Sequence, residues 1–316
     1  MTPFAWAALV ALYLVWGSTY LAIRVAVETL PPFLMAGVRF VIAGAVLGVG
    51  CLALDRSAIR WPTRRELLDI AIVGAFLLVG GNGLVAWGEQ TLPSGIAALL
   101  VGLTPVSMVL VAWLAFRERQ SRIVWLGVLV GFVGVAVLAA PDPSGGFDSA
   151  GLAAVVAAEL SWAVGSVYAS RHESAVSPSL LGTAIEMGIA GVFLLLVGVG
   201  IGEVGAVRTP SFDSVAATAY LIVVGSLVGY TAYAWLIRNA PLPVVSTYAY
   251  VNPVVAVLLG AALLSEPIGP RTLVAGALIV VAVAMIITAR GRAKRETVET
   301  AERRAGGPTA ATERAA

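Results

Sequence analysis

Charge is scarce in this 316-residue chain. Asp, Glu, Lys and Arg make up 12% of it and apolar residues 59%, whereas a soluble domain carries about 25% charge. Water could not solvate such a surface, so most of the chain must be dissolved in lipid. Twenty basic and 18 acidic residues leave a net charge of +2, which gives no hold on nucleic acid. A single cysteine, Cys51, excludes an intrachain disulfide framework. A single histidine, His172, and the lack of ligands at metal-site spacing argue against a metalloenzyme. Neither a GxSxG elbow nor a GxxxxGK[ST] loop occurs, so hydrolase chemistry and ATP-driven work are not indicated. No cofactor is expected. Met1-Thr2-Pro3 lacks the basic stretch of a secretory leader, and the first apolar run is expected to stay as a membrane helix.

What the chain has instead is long apolar runs. Crossing about 30 Å of hydrocarbon takes about 20 residues at 1.5 Å each. Runs at 4–24, 33–53, 67–87, 94–115, 123–140, 150–170, 180–200, 214–236, 244–264 and 272–289 qualify. Turn residues separate them at Pro31-Pro32, Pro93-Ser94, Pro141-Asp142-Pro143, Ser177-Pro178, Thr209-Pro210, Pro241-Leu242-Pro243 and Glu266-Pro267. In lipid the backbone must satisfy its own polar groups, and the runs are too long for barrel strands. The fold class is therefore an all-α membrane protein with ten transmembrane helices.

The stretch Ala86 to Glu118 recurs, without a gap, from Ala234 to Glu266. A shift of 148 carries Trp87 onto Trp235, Pro93 onto Pro241, Pro105-Val106 onto Pro253-Val254 and Glu118 onto Glu266. Trp16 answers Trp162 at 146, and Ile42-Ala43-Gly44 answers Ile189-Ala190-Gly191 at 147. Spacing held this closely is a duplication. It divides the chain into a first repeat at 4–140, a second at 150–289 and a basic tail at 290–316, polar enough to be without structure. Five crossings per repeat is an odd number. The repeats must enter the bilayer in opposite senses, the inverted arrangement of many secondary transporters.

Arginine and lysine set the sense of insertion. With both termini inside, 16 of the 20 basic residues fall on the cytoplasmic face. Arg24, Arg208 and Arg271 fall outside, and Arg39 lies within a span. The expected location is the cell (inner or plasma) membrane, crossed many times. Gly44/Gly48 and Gly127/Gly131 are small-residue pairs that let helices approach closely, serving either a monomer or a homodimer.

Several stretches carry a further signal: Leu14-Val15-Trp16-Gly17-Ser18-Thr19-Tyr20, Pro32-Phe33-Leu34-Met35-Ala36 with Arg39-Phe40, Trp87-Gly88-Glu89-Gln90-Thr91, Pro93-Ser94-Gly95-Ile96-Ala97-Ala98, and Ser161-Trp162. Through them the chain resembles the EamA family of the drug/metabolite transporter superfamily over nearly all of 4–289. Gly182-Thr183-Ala184-Ile185-Glu186-Met187 is similar to the branch of amino-acid and metabolite efflux proteins. The resemblance implies a cavity lined by spans 1, 3, 4, 6, 8 and 9. It implies export of a small polar or aromatic metabolite; with the inverted repeats, the expected function is export of an amino acid or related compound, or of a drug, by alternating access. The partners would be the lipid bilayer, a small-molecule substrate and, as candidate coupling ion, the proton. The alternatives are a channel, a sensor or a facilitative exchanger. Paired repeats with midplane prolines favour the transporter.

Charges at membrane depth mark pairing or function. By helical rise, Arg39 lies about 9 Å from the outer end of span 2, Glu186 about 9 Å from the inner end of span 7, and Glu159 about 13 Å into span 6. Arg39 and Glu186 are related by the 147 shift and opposite in charge, a candidate gate or coupling pair. Backbone bonding of each is the plainer alternative. Glu159, near the midplane, is the candidate for trading a proton against substrate, and otherwise a glutamate that bonds helices together. Pro105 and Pro253 leave the carbonyls of Val101 and Ala249 unbonded, so both are candidate hinges. Candidate substrate contacts are Trp16, Ser18, Asn82, Trp162, Tyr230, Tyr233, Tyr248 and Asn252, the last two sharing a helix face at i,i+4. Trp87 and Trp235 read as interfacial belt residues, and Glu118 and Glu266 as solvated helix ends.

Overall fold

The computed structural model describes residues 2–54, 60–118, 120–139, 148–171, 180–239 and 248–305. Among them all regular structure is helical. The spans are α1 (Pro3–Ala26), α2 (Pro32–Leu54), α3 (Arg64–Gly88), α4 (Ser94–Phe116), α5 (Arg122–Ala139), α6 (Ser149–Arg171), α7 (Leu180–Gly200), α8 (from Phe212 to Asn239), α9 (Tyr248–Leu264) and α10 (Pro270–Ala305). Eight are long and apolar enough to cross a bilayer, and Arg122–Leu138 and Val251–Leu264 are shorter apolar helices. Val46, Val49, Leu126, Leu129, Phe132, Leu196, Leu258 and Val281 stand exposed on their outer faces. An apolar surface of this kind is what lipid, not water, solvates. His172 and the turn residues Pro141 to Pro143, Ser177-Pro178 and Pro241 to Pro243 lie outside the described residues.

In lipid the first N–H groups of a helix must be met by acceptors. Thr2 caps α1 at 3.2 Å, and Thr63 with Glu66 forms a reciprocal capping box on α3. Asp148 caps α6 through the N–H groups of Gly151 and Ala150. With the Thr91 hydroxyl as the first cause, these bonds hold the Asp148 carboxyl below its usual value. Ser211 caps α8 through Ser214 N at 3.1 Å, and two further caps cross between repeats. Glu203, after α7, accepts from Phe33 N and Leu34 N at the start of α2 (3.2 and 2.9 Å). Glu266, after α9, accepts from Ser94 N (2.7 Å), Gly95 N and Ser94 Oγ at the start of α4. Glu266 is thus no solvated end but a cap, and Glu118, its counterpart, is ion-paired with Arg171. The two helices finish alike. Arg117 after α4 and Ser265 after α9 both adopt left-handed φ, 53° and 54°.

Helices related by the repeat face each other: α2 packs on α7, and α5 on α10. α1 packs on α8 and α9, and α6 packs on α3 and α4, the same relation seen from either half. At the α2–α7 crossing only glycine fits. A Cβ at Gly44 would stand 2.7 Å from Ala184 O, and one at Gly191 2.6 Å from Val41 N. Gly127 meets Ile286 and Ala282 of α10 in the same way. These small residues therefore serve packing within one chain. α10 continues as helix to Ala305, past the point at 290 where structure was expected to end. Its Ala, Glu, Arg and Lys content favours helix.

Candidate functional site

Two helices depart from α geometry at corresponding places. α3 is π-helical over Ala75–Gly83 and α8 over Leu221–Tyr230. The repeat shift carries one onto the other. A π turn widens the helix and frees carbonyls, and such segments concentrate at functional sites. Here Ser161 of α6 donates to Phe76 O at 2.7 Å, and Asn82 Nδ2 donates to Leu77 O at 3.4 Å. Each π segment also receives a tryptophan from the opposite repeat. A Cβ at Gly81 would lie 2.8 Å from Trp162 Cε3, and one at Gly229 2.8 Å from Trp16 Nε1. Gly81 and Gly229 are 148 apart, so the two sockets are symmetric. Apolar periodicity does not separate π from α geometry; the visible trace was glycine in both stretches.

Between these sockets lies a cavity whose space, counted out through its open mouth, is about 900 Å³. Its walls come from α1, α3, α4, α6, α8 and α9, and also from α2 through Arg39 and Phe40. Trp16, Asn82, Trp162, Tyr230, Tyr248 and Asn252 line it, together with Arg39, Glu159 and Pro253. Ser18 and Tyr233 do not. Ser18 Oγ lies 2.6 Å from Tyr220 OH and donates to Val15 O. The Tyr233 ring backs Trp16 at 5.0 Å and Tyr248 at 5.9 Å. Glu186 and Pro105 also stand behind the wall. Thr19, Tyr20 and Ser226 are lining groups that the sequence did not single out.

Arg39 and Glu186 do not pair. Arg39 Nε donates to Ser226 Oγ at 2.9 Å, and Tyr230 OH donates to Glu186 Oε1 at 3.4 Å. Ser226 and Tyr230 are one turn apart on α8, so the π segment stands between the two charges. The Arg39 guanidinium also lies 4.7 Å from the Phe40 ring centroid.

The two prolines behave differently. α4 is broken, with helical segments Ser94–Val101 and Thr104–Phe116. Pro105 sits at the start of the second segment, where a missing N–H costs nothing. The freed Val101 carbonyl is met by Thr104 Oγ1 at 2.7 Å, and the same hydroxyl lies 2.8 Å from Glu159 Oε2. A hydroxyl has one proton. Both contacts are satisfied together only when Glu159 carries a proton of its own. In α9 the helix runs unbroken through Pro253. There the Asn252 amide, in the orientation that suits its neighbours, donates to Tyr248 O and to Tyr13 O of α1, each at 3.3 Å. Of the two prolines expected to be equivalent, one stands at a break and the other inside a continuous helix.

At the far end of α1, Arg24 Nη1 donates to Glu89 O (2.9 Å) and Gln90 O (3.0 Å), tying α1 to the α3–α4 turn. The Glu89 side chain is fully buried, and neither of its carboxylate oxygens has a hydrogen-bond partner. Trp235 stacks edge-on against Phe4 at 4.9 Å.

An apolar, all-helical chain in two repeats around one shared cavity defines a multi-pass membrane transporter. Residues 4–140 and 149–288 each match the EamA-like transporter family, and the chain belongs to that family. The inner membrane transporter YedA of Escherichia coli (strain K12) is 40% identical over 283 residues, covering 88% of this chain and 89% of that one. The transporter YvbV of Bacillus subtilis (strain 168) is 28% identical over 90% of this chain and 91% of its own. The probable terminal-alkyne amino-acid exporter of Streptantibioticus cattleyicolor is 29% identical over 94% of this chain and 97% of its own. One solved crystal structure, 24% identical, matches with a TM-score of 0.63 over 92% of this chain and 99% of that one, a likeness of fold.

Proposed function

We propose that the protein exports a small organic metabolite or drug across the inner membrane by alternating access through this cavity. The observation that carries the reading is the double origin of the walls. Trp16 answers Trp162, the π segment of α3 answers that of α8, and Thr104 answers Asn252. A site on the axis between two repeats opens to either side when one rocks against the other. The units that move are 4–140 and 150–289, with both termini cytoplasmic. On that orientation Arg24 and Glu266 clasp the outer face and the Arg171–Glu118 pair the inner one. Export of an amino-acid-like compound gains support from the relative named as an amino-acid exporter. Glu159 is the coupling group, since its bond to Thr104 changes with its proton.

The test is uptake and counterflow of a metabolite panel in proteoliposomes at two opposed pH gradients. Saturable flux that responds to the gradient is expected, and Glu159→Gln should remove the response. Flux that never saturates and shows no counterflow would make the protein a channel instead.

A further inference from the structure

Arg39 is a buried cation with no anion beside it. It is 6% exposed and lies at membrane depth, where charges are paired or functional. Its one hydrogen bond among the described residues runs from Nε to Ser226, a neutral partner. The two ion pairs among those residues, Arg60–Glu66 and Arg171–Glu118, do not involve it. The Phe40 ring covers one face of the guanidinium, which leaves the fork of Nη1 and Nη2 as the direction of approach. Arg39 and Gly225 both line the cavity. A Cβ at Gly225 would lie 3.3 Å from Nη2, so glycine there keeps the space open.

The charge balance of the cavity points the same way. Arg39 and Glu159 are the lining residues that carry charge. Glu159 is neutral when both contacts of Thr104 are made. The other titratable groups in the wall are the phenols of Tyr20 on α1, Tyr230 on α8 and Tyr248 on α9, and the Glu186 carboxyl stands behind the wall, bonded to Tyr230. α3 contributes Asn82 to this wall, and α4 contributes Thr104. The cavity as arranged is a single positive charge in an aromatic enclosure.

We propose that it takes a small organic anion, with the acidic group on the Arg39 fork and the apolar body between Trp16, Trp162 and Tyr248. A guanidinium fork matches carboxylate and phosphate in two parallel bonds. The proposal rests on the exporter reading for the direction of travel alone; recognition of the anion stands by itself.

The experiment is binding to the purified full chain in detergent, read by tryptophan fluorescence and by the shift in melting temperature. The probes share one body: 3-phenylpropanoate, 3-phenylpropanamide and 3-phenylpropylamine, with phenyl phosphate to separate carboxylate from phosphate recognition. An anion should bind about 10-fold or more tightly than the amide, and the amine should not bind. Arg39→Gln should erase the difference and Arg39→Lys keep part of it. Gly225→Ala, which keeps the positive charge but crowds Nη2 at 3.3 Å and Thr19 Cγ2 at 3.1 Å, should weaken the acid more than the amide; it carries the test if Arg39→Gln does not fold. Equal binding of acid and amide, no binding of any anion, or a preference that survives Arg39→Gln would overturn the proposal. An exporter indifferent to charge would still pass the flux assay, so the two readings fail separately.

Discussion

Thr104 shows how much one hydroxyl can hold. It satisfies a carbonyl that the break in α4 leaves open and a carboxyl that α6 brings to the same place. Thr104→Val keeps the shape and strips both bonds, so it should cost about 1–3 kcal/mol for each buried group left unpartnered. Thr104→Ser should restore most of that. Thermal unfolding of the two purified variants checks it: a Val variant as stable as the parent would mean that the hydroxyl holds neither group. Residue by residue, the sequence disclosed what recurs and concealed what does not. Trp16, Trp162, Asn252 and Glu159 were visible through their spacing or through charge in an apolar run. Ser226 and Thr19 were not, since a lone hydroxyl in a membrane helix more often bonds its own backbone. Ser18 illustrates that default by donating to Val15 O.

At the scale of the element, proline placement alone did not decide helix geometry. The break in α4 falls at Gly102-Leu103, and the corresponding residues of α9 are Tyr250-Val251. Glycine lowers the cost of leaving helical geometry, and α9 has none there. The π segments were hidden for a related reason, because a wider turn preserves the apolar pattern. Helix contact was more legible: Gly44 and Gly127 were marked as approach points, and both sit where backbones meet. Gly44→Val would force a side chain into Ala184 O and Gly188 N. Overpacking of this kind costs about 1–3 kcal/mol, so the variant should melt lower or fail to accumulate. Gly48→Val, whose added Cβ meets only Ala184 Cβ at 3.7 Å, should be milder; equal effects from both would remove the close-packing account.

For the whole molecule, the fold was readable because lipid leaves the backbone so few options. The two units are alike in sequence, and among the described residues their corresponding arginines hold different groups. Arg24 holds backbone carbonyls of the α3–α4 turn, whereas Arg171, its counterpart, holds the Glu118 carboxylate. Removing the first clasp should favour opening on its side. Arg24→Gln in a Cys51→Ser background is expected to raise labelling of Asn82→Cys by a membrane-impermeant maleimide several-fold on the face where α1 ends. Labelling that rises equally from both faces, or not at all, would deny Arg24 a gating role.

The caps on α2 and α4 bear on how such a chain could have arisen. Both carboxylates come from the later half and both open helix ends belong to the earlier one. Two copies of a single ancestral unit could have served each other symmetrically. Thr29 returns the contact by accepting from Ser211 N at the head of α8 (3.1 Å), so among the described residues each half holds a helix start of the other, and neither would keep its ends satisfied alone.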